Sequence, residues 1–158
     1  MAVLNYPKAD IFRRFIAYLI DAVIASVLIY VPILGGIVST VYMLTKDVIA
    51  YEITKNPDFK NKSIGKKLMG LEVASLEGKD MNWEISIRRN LPLAIGSVCS
   101  IVPIIGWIIG AILGFIMSIV EIILVLTDSN GRRFGDRLAS TQVVSSESLP
   151  KRNDVIDI

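Results

Sequence analysis

Two apolar stretches, 11–53 and 85–127, each of 43 residues, set the terms for any fold of this chain. Each is about twice the roughly 20 residues that a helix needs to cross a bilayer, so each reads as a hairpin of two membrane helices. The first stretch is broken at Pro32 and Gly35-Gly36, the second at Pro103, Gly106 and Trp107. Proline removes a helical donor, the glycines permit a tight reversal, and tryptophan suits a headgroup boundary. Four spans are expected, near 12–31, 35–53, 87–103 and 107–126. A water-soluble bundle would keep a polar stripe on every helix, and 108–120 has none.

Orientation follows from the basic residues. Of 17 Lys/Arg, 16 lie at or outside the span ends, in three groups around Arg13-Arg14, Lys55 to Arg89 and Arg132 to Arg152; the hairpin tips have none. The positive-inside rule then puts both termini and the central segment in the cytoplasm and the tips outside. A cleaved signal peptide is not expected, because Asp21 interrupts the first apolar run.

Composition removes several functions. Residues of hydrophobic type make up 53% of the chain and the net charge is +2, with no basic, aromatic-interleaved tract, so nucleic acid is excluded as a partner. Histidine is absent and Cys99 is the single cysteine, which removes the usual hydrolase base and the usual metal ligands. No catalytic group, cofactor or metal is expected, and the chain is not read as an enzyme. A Ser63-Lys66/Lys67 pair would be the last resort, and a capped basic helix produces the same spacing.

The chain carries an internal duplication. Val31-Pro32-Ile33-Leu34-Gly35 matches Val102-Pro103-Ile104-Ile105-Gly106 at an offset of 71, and Gly65-Lys66-Lys67-Leu68 with Val73 matches Gly135-Asp136-Arg137-Leu138 with Val143 at 70. Basic doublets open both hairpins. The expected architecture is therefore an all-α polytopic membrane protein: four transmembrane helices as two parallel-repeat hairpins, related by an axis along the membrane normal. A membrane domain over 1–148 would include cytoplasmic amphipathic segments at 63–74 and 133–144, with a disordered tail over 149–158. Ser63 suits a helix N-cap and Gly70 a stop, and the helix at 64–69 is expected at the lipid surface, its lysines toward the headgroups.

Three acids lie inside the spans. Asp21, Asp47 and Glu121 are each seven residues in from a charged or polar boundary residue (Arg14, Thr54 and Asp128), which places them at one depth, roughly 10 Å inside. They are the candidate ion- or proton-binding groups. The alternative is that Asp21 pairs with an arginine of Arg88-Arg89 or Arg132-Arg133 and Asp47 with Lys46 or another base, tying the hairpins together. Gly106, Gly110, Gly114 and Ser118 recur every fourth residue and allow a neighbouring backbone to approach span four closely.

Arg14-Phe15-Ile16-Ala17-Tyr18-Leu19-Ile20-Asp21 resembles the opening motif of the RDD family of bacterial membrane proteins, named for one arginine and two aspartates. The stretch from Gly131-Arg132-Arg133-Phe134-Gly135-Asp136 to Val144 is similar to its closing motif, and Ser63 to Val73 resembles its central one. Together these cover about 12–144. The resemblance implies that Arg14, Asp21 and Asp136 are the eponymous residues, and that the protein lies in the bacterial inner membrane, with transport, including cation/proton antiport, proposed for some members. Asp47 and Glu121 have no counterpart in the motifs, and Asn61-Lys62-Ser63 replaces the usual Gly-x-Thr start of the central one.

The expected function is that of a small secondary transporter of a cation or solute, assembled as a homo-oligomer because four spans enclose little volume. The alternative is a non-transporting regulator that binds another membrane protein through the span-four stripe or the cytoplasmic motifs. Because Asp136 replaces Lys66 at equivalent positions of the two repeats, it is expected to draw the second amphipathic segment onto Arg14 or Arg13 as a structural ion pair.

Overall fold

Each expected span is a helix in the computed structural model, which describes residues 6–31, 34–99, 101–102 and 104–149. The first hairpin is α1 (Ile11–Leu28) and α2 (Gly35–Thr54), followed by a short helix α3 (Ile64–Leu68) and a strand β1 (Leu71–Ser75). The second is α4 (Trp83–Cys99) and α5 (Ile105–Thr127), followed by α6 (Phe134–Leu138) and β2 (Thr141–Ser145). The tip prolines Pro32 and Pro103, and the tail beyond 149, lie outside the described residues.

By length and composition α5 is long and apolar enough to cross a membrane, with a mean hydropathy of 2.7. The other long helices are diluted by charge near one end: Arg13 and Arg14 in α1, Lys46 and Asp47 in α2, Arg88 and Arg89 in α4. Polarity is inverted relative to a bundle in water. The largest fully buried side chains include Arg89, Gln142, Asn90, Asp21, Asp47 and Asp136, whereas α5 exposes Ile108, Ile112 and Phe115. Apolar surface of that extent is stable against lipid, and buried ionisable groups then face the interior.

The long helices pack in the order α1, α2, α4, α5. Hydroxyls bind them where the backbones run close: Ser39 Oγ donates to Ala25 O at 2.9 Å, and Thr40 Oγ1 to Ser97 O at 2.8 Å. Ala25, Tyr42, Met43 and Ala94 form the apolar core between them. At the α4–α5 contact a Cβ on Gly110 would stand 2.3 Å from Gly96 O, and one on Gly96 would stand 2.6 Å from Gly110 O. The neighbour that fits the small-residue stripe is thus α4, which takes that surface away from an outside partner; Ser118, the last of the stripe, meets Tyr18 of α1 at 3.0 Å.

The described residues add one feature to a helical chain. β1 and β2 form a two-stranded antiparallel ladder in which Val73 stands opposite Val143. Those two valines are equivalent in the duplication and lie where a two-fold axis would pass through the ladder; on either side the pairing crosses over, with Leu71 opposite Ser145 and Ser75 opposite Thr141. The turns from helix to strand match as well, with Gly70 and Ser140 both at positive φ (66° and 49°). Leu71 and Val143 bury against Ala9 and Ala17 at the charged end of α1.

Candidate functional site

The two short helices are not surface features. α3 lies on α1 so closely that a Cβ on Gly65 would stand 2.0 Å from Ala17 O, and α6 lies on α4 with Gly135 in the same relation to Arg89 O, at 1.9 Å. The expectation of α3 at the lipid surface is therefore corrected: Gly65 lets the backbones touch, and Lys66 is buried. Two lysines on a five-residue helix look alike from sequence whether they meet headgroups or carboxylates.

Each short helix is held by an acid from one of the long helices. Asp21 accepts from Ser63 Oγ at 2.7 Å and from the Gly65 amide at 2.9 Å. Glu121 accepts from the amides of Phe134 at 2.7 Å and Gly135 at 3.4 Å. The first turn of a helix presents amides without helical partners, and a carboxylate there satisfies them and meets the positive end of the dipole. The two acids come from non-equivalent helices, α1 and α5, yet do the same work in each repeat.

The other contacts form an ion network. Asp21 also lies 3.3 Å from Lys46 Nζ. Asp47 takes Lys66 Nζ on one oxygen, and on the other Asn90 Nδ2 at 3.0 Å with Arg89 Nε 3.5 Å away. Asp136 stands among three arginines: Arg14 Nη2 at 3.1 Å, Arg89 Nη2 at 3.0 Å and Arg133 Nε at 3.3 Å. Arg14 donates in addition to Gly131 O, and Arg133 to Asn90 Oδ1 at 2.9 Å. Arg13, the other candidate partner of Asp136, is exposed.

Outside the long helices, burial and charge act in opposite directions on Asp136 and Lys66. Burial pushes the Asp136 carboxyl up, but Arg89, Arg133 and Arg14 outweigh it and hold the group at about 2, below the ordinary 3.8. Burial pulls the Lys66 ammonium down to about 8 against the opposing effect of Asp47. Desolvation disfavours the charged form of either group, and nearby opposite charge restores it.

All three expected acids thus have protein partners. The sequence reading had Lys46 beside Asp47, but Lys46 reaches Asp21 instead, because neighbouring positions on a helix point about 100° apart. Arg89 and Asn90 emerge as the centre of the network. The Arg88-Arg89 doublet was a signal for the first, while Asn90 gave none.

Beneath the Tyr18–Ser118 contact, α1 and α5 part to leave a cleft of about 650 Å³. Its floor is charged, with Arg14, Asp21, Lys46, Lys66, Arg89 and Glu121, and its walls are apolar, with Phe12 and Phe15 on one side and Ile122 and Leu126 on the other. A concave apolar site with a few convergent polar groups is the usual form of a small-molecule site. Among the described residues no group of His, Cys, Asp and Glu is arranged to hold a metal ion.

A family model described as RDD family matches residues 8–140. No curated protein and no solved structure matches the chain.

Proposed function

Since the chain belongs to the RDD family and is a membrane protein, we propose that it crosses a bacterial inner membrane four times and acts as a small secondary transporter. In this reading both termini and the ion network lie on the cytoplasmic side, as the distribution of Lys and Arg supports. The cleft between α1 and α5 is the solute site. The observation that carries the proposal is the cleft itself: five elements converge on a charged floor inside an otherwise apolar helix bundle. Ionisable groups are retained at such depth chiefly on substrate and ion paths. Homo-oligomers form through the exposed outer face of α5 and extend the path beyond what four spans enclose.

Of the cation and the proton expected as coupling species, the geometry favours the proton. Asp21, Asp47 and Glu121 are each filled by donors, which leaves little room for a free cation. Lys66, in contrast, is a cation whose pKa burial brings down to about 8, and it is joined to Asp47. Loss of the lysine proton breaks the Lys66–Asp47 pair and loosens α3, which forms part of the floor. Solute occupancy and protonation are linked in this way.

The test is flux in proteoliposomes across a screen of cations, anions and organic solutes, with pH reported inside the vesicles. Wild type is expected to move a solute with protons above empty liposomes, and Lys66→Met to lose the proton movement by about tenfold or more, since it removes the titrating group. No flux of any solute or proton would overturn transport. The second reading, a non-transporting regulator, is favoured by one observation, the complete engagement of the three acids by the protein's own groups, and it would then stand.

A further inference from the structure

We propose that the cleft binds a phosphate oxyanion borne on an apolar tail, the headgroup of an anionic phospholipid. This rests on the reading of the cleft as the binding site of a four-span membrane protein. Three observations support it independently of one another.

The first is charge. Within the network five cations (Arg14, Lys46, Lys66, Arg89 and Arg133) face four carboxylates (Asp21, Asp47, Glu121 and Asp136), all of them buried or nearly so. One positive charge is left over in a region where an unbalanced charge is expensive, and a bound anion would neutralise it. A cation would add to the excess.

The second is an unused donor. Arg89 is fully buried and lines the cleft, yet its Nη1 has no hydrogen-bond partner among the described residues. Its Nε and Nη2 lie near Asp47 and Asp136, but without the alignment of hydrogen bonds. A guanidinium offers five donors in a fixed fork that matches phosphate, and buried donors are seldom left unmade. The carboxylates beside it, Asp47 and Asp136, are also paired with Lys66 and with Arg14 and Arg133, which offsets their repulsion of an anion.

The third is the wall. Phe12 and Phe15 of α1 are 71% and 47% exposed, and Ile122 and Leu126 of α5 are 43% and 55% exposed. These side chains run from the charged floor to the outer apolar surface. A free phosphate would find them useless, whereas an acyl chain would cover them. Basic pockets between membrane helices take anionic headgroups for these reasons.

The experiment uses the full chain purified in neutral detergent. Phosphatidylglycerol, phosphatidylcholine and inorganic phosphate are titrated separately, and the readouts are bound lipid by native mass spectrometry and the unfolding temperature. Phosphatidylglycerol is expected to bind one copy per chain and raise the unfolding temperature, with phosphatidylcholine weaker by about tenfold or more. Ile122→Trp fills the cleft without changing a charge and should abolish that copy while leaving the lipid-free unfolding temperature within a few degrees. Arg89→Gln should do the same to binding, and Ile122→Trp keeps the proposal testable if that variant does not fold. Binding of phosphatidylglycerol that survives Ile122→Trp would overturn the proposal. Saturation by inorganic phosphate alone would uphold the oxyanion site and overturn its lipid tail. The assay does not depend on flux, so lipid binding without transport would overturn only the transport reading.

Discussion

Gly65→Ala and Gly135→Ala should each lower the unfolding midpoint in detergent by roughly 10 °C, a loss of about 3 kcal/mol. The added methyl would stand 2.0 Å from Ala17 O in the first case and 1.9 Å from Arg89 O in the second, and both obstacles are backbone. The short helix must then lift from the long one. With it go the amide bonds to Asp21 or Glu121 and the ion pairs of Lys66 or Asp136. Gly114→Ala is the control, because its methyl would meet Gly96 Cα at 3.6 Å, an ordinary contact. Size-exclusion profiles and thermal unfolding followed by tryptophan fluorescence report the difference. Losses no greater than that of Gly114→Ala would show that the two helices are not seated as described.

Asp136→Asn should be the most damaging single charge change, with a loss of about 3–5 kcal/mol, because it strands buried arginines. Arg14 and Arg133 then have no carboxylate, and Arg89 keeps only Asp47 at 3.5 Å. Exchanging charges as Arg14→Asp with Asp136→Arg does not rescue the protein, since the new arginine would still face Arg89 and Arg133. The same group sets an acid limit. Its pKa in the fold is about 2, below the ordinary 3.8. The stabilisation is therefore complete above pH 4 and is lost as pH falls toward 2, at about 2 kcal/mol in all. Unfolding midpoints of wild type should fall across that window, and those of Asp136→Asn should fall less, by the share that this one carboxylate contributes. A variant as acid-sensitive as wild type would contradict the role given to Asp136.

The four long helices were legible because a bilayer sets a length, and two 43-residue apolar stretches fit it twice each. The ladder was not legible: Val73 and Val143 are equivalent in the duplication, but equivalence within a repeat does not pair two segments, and the chain reads as all-α. Convergence was partly legible: Asp21 and Glu121 line one cleft, and Asp47 is tied to Lys66 of the same cleft. Direction around each helix was not, because spacing fixes height along the axis but leaves the partner open among several bases at that height. So Asp47 meets Lys66, which was expected at the headgroups, Lys46 meets Asp21, where an arginine was expected, and Asp136 gathers three arginines where one was expected. Glu121 was illegible for another reason. Its partners are backbone amides, which every residue carries and no pattern marks. The duplicated glycine of Gly65-Lys66-Lys67-Leu68 and Gly135-Asp136-Arg137-Leu138 was the available sign of close seating, and it went unread beside the more conspicuous charges. The cleft depends on how α1 and α5 diverge, a property of packing that no local segment encodes.

Hydrogen exchange at the ends of α3 and α6, in protein held in lipid nanodiscs, tests most directly whether Asp21 and Glu121 of the long helices hold the two short helices in place. Peptides covering 63–69 and 133–139 should exchange slowly in wild type, because the amides of Gly65, Phe134 and Gly135 donate to Asp21 and Glu121. Asp21→Ala should release the first peptide alone and Glu121→Ala the second alone. Rapid exchange of both peptides in wild type, or protection unchanged by either substitution, would contradict the account.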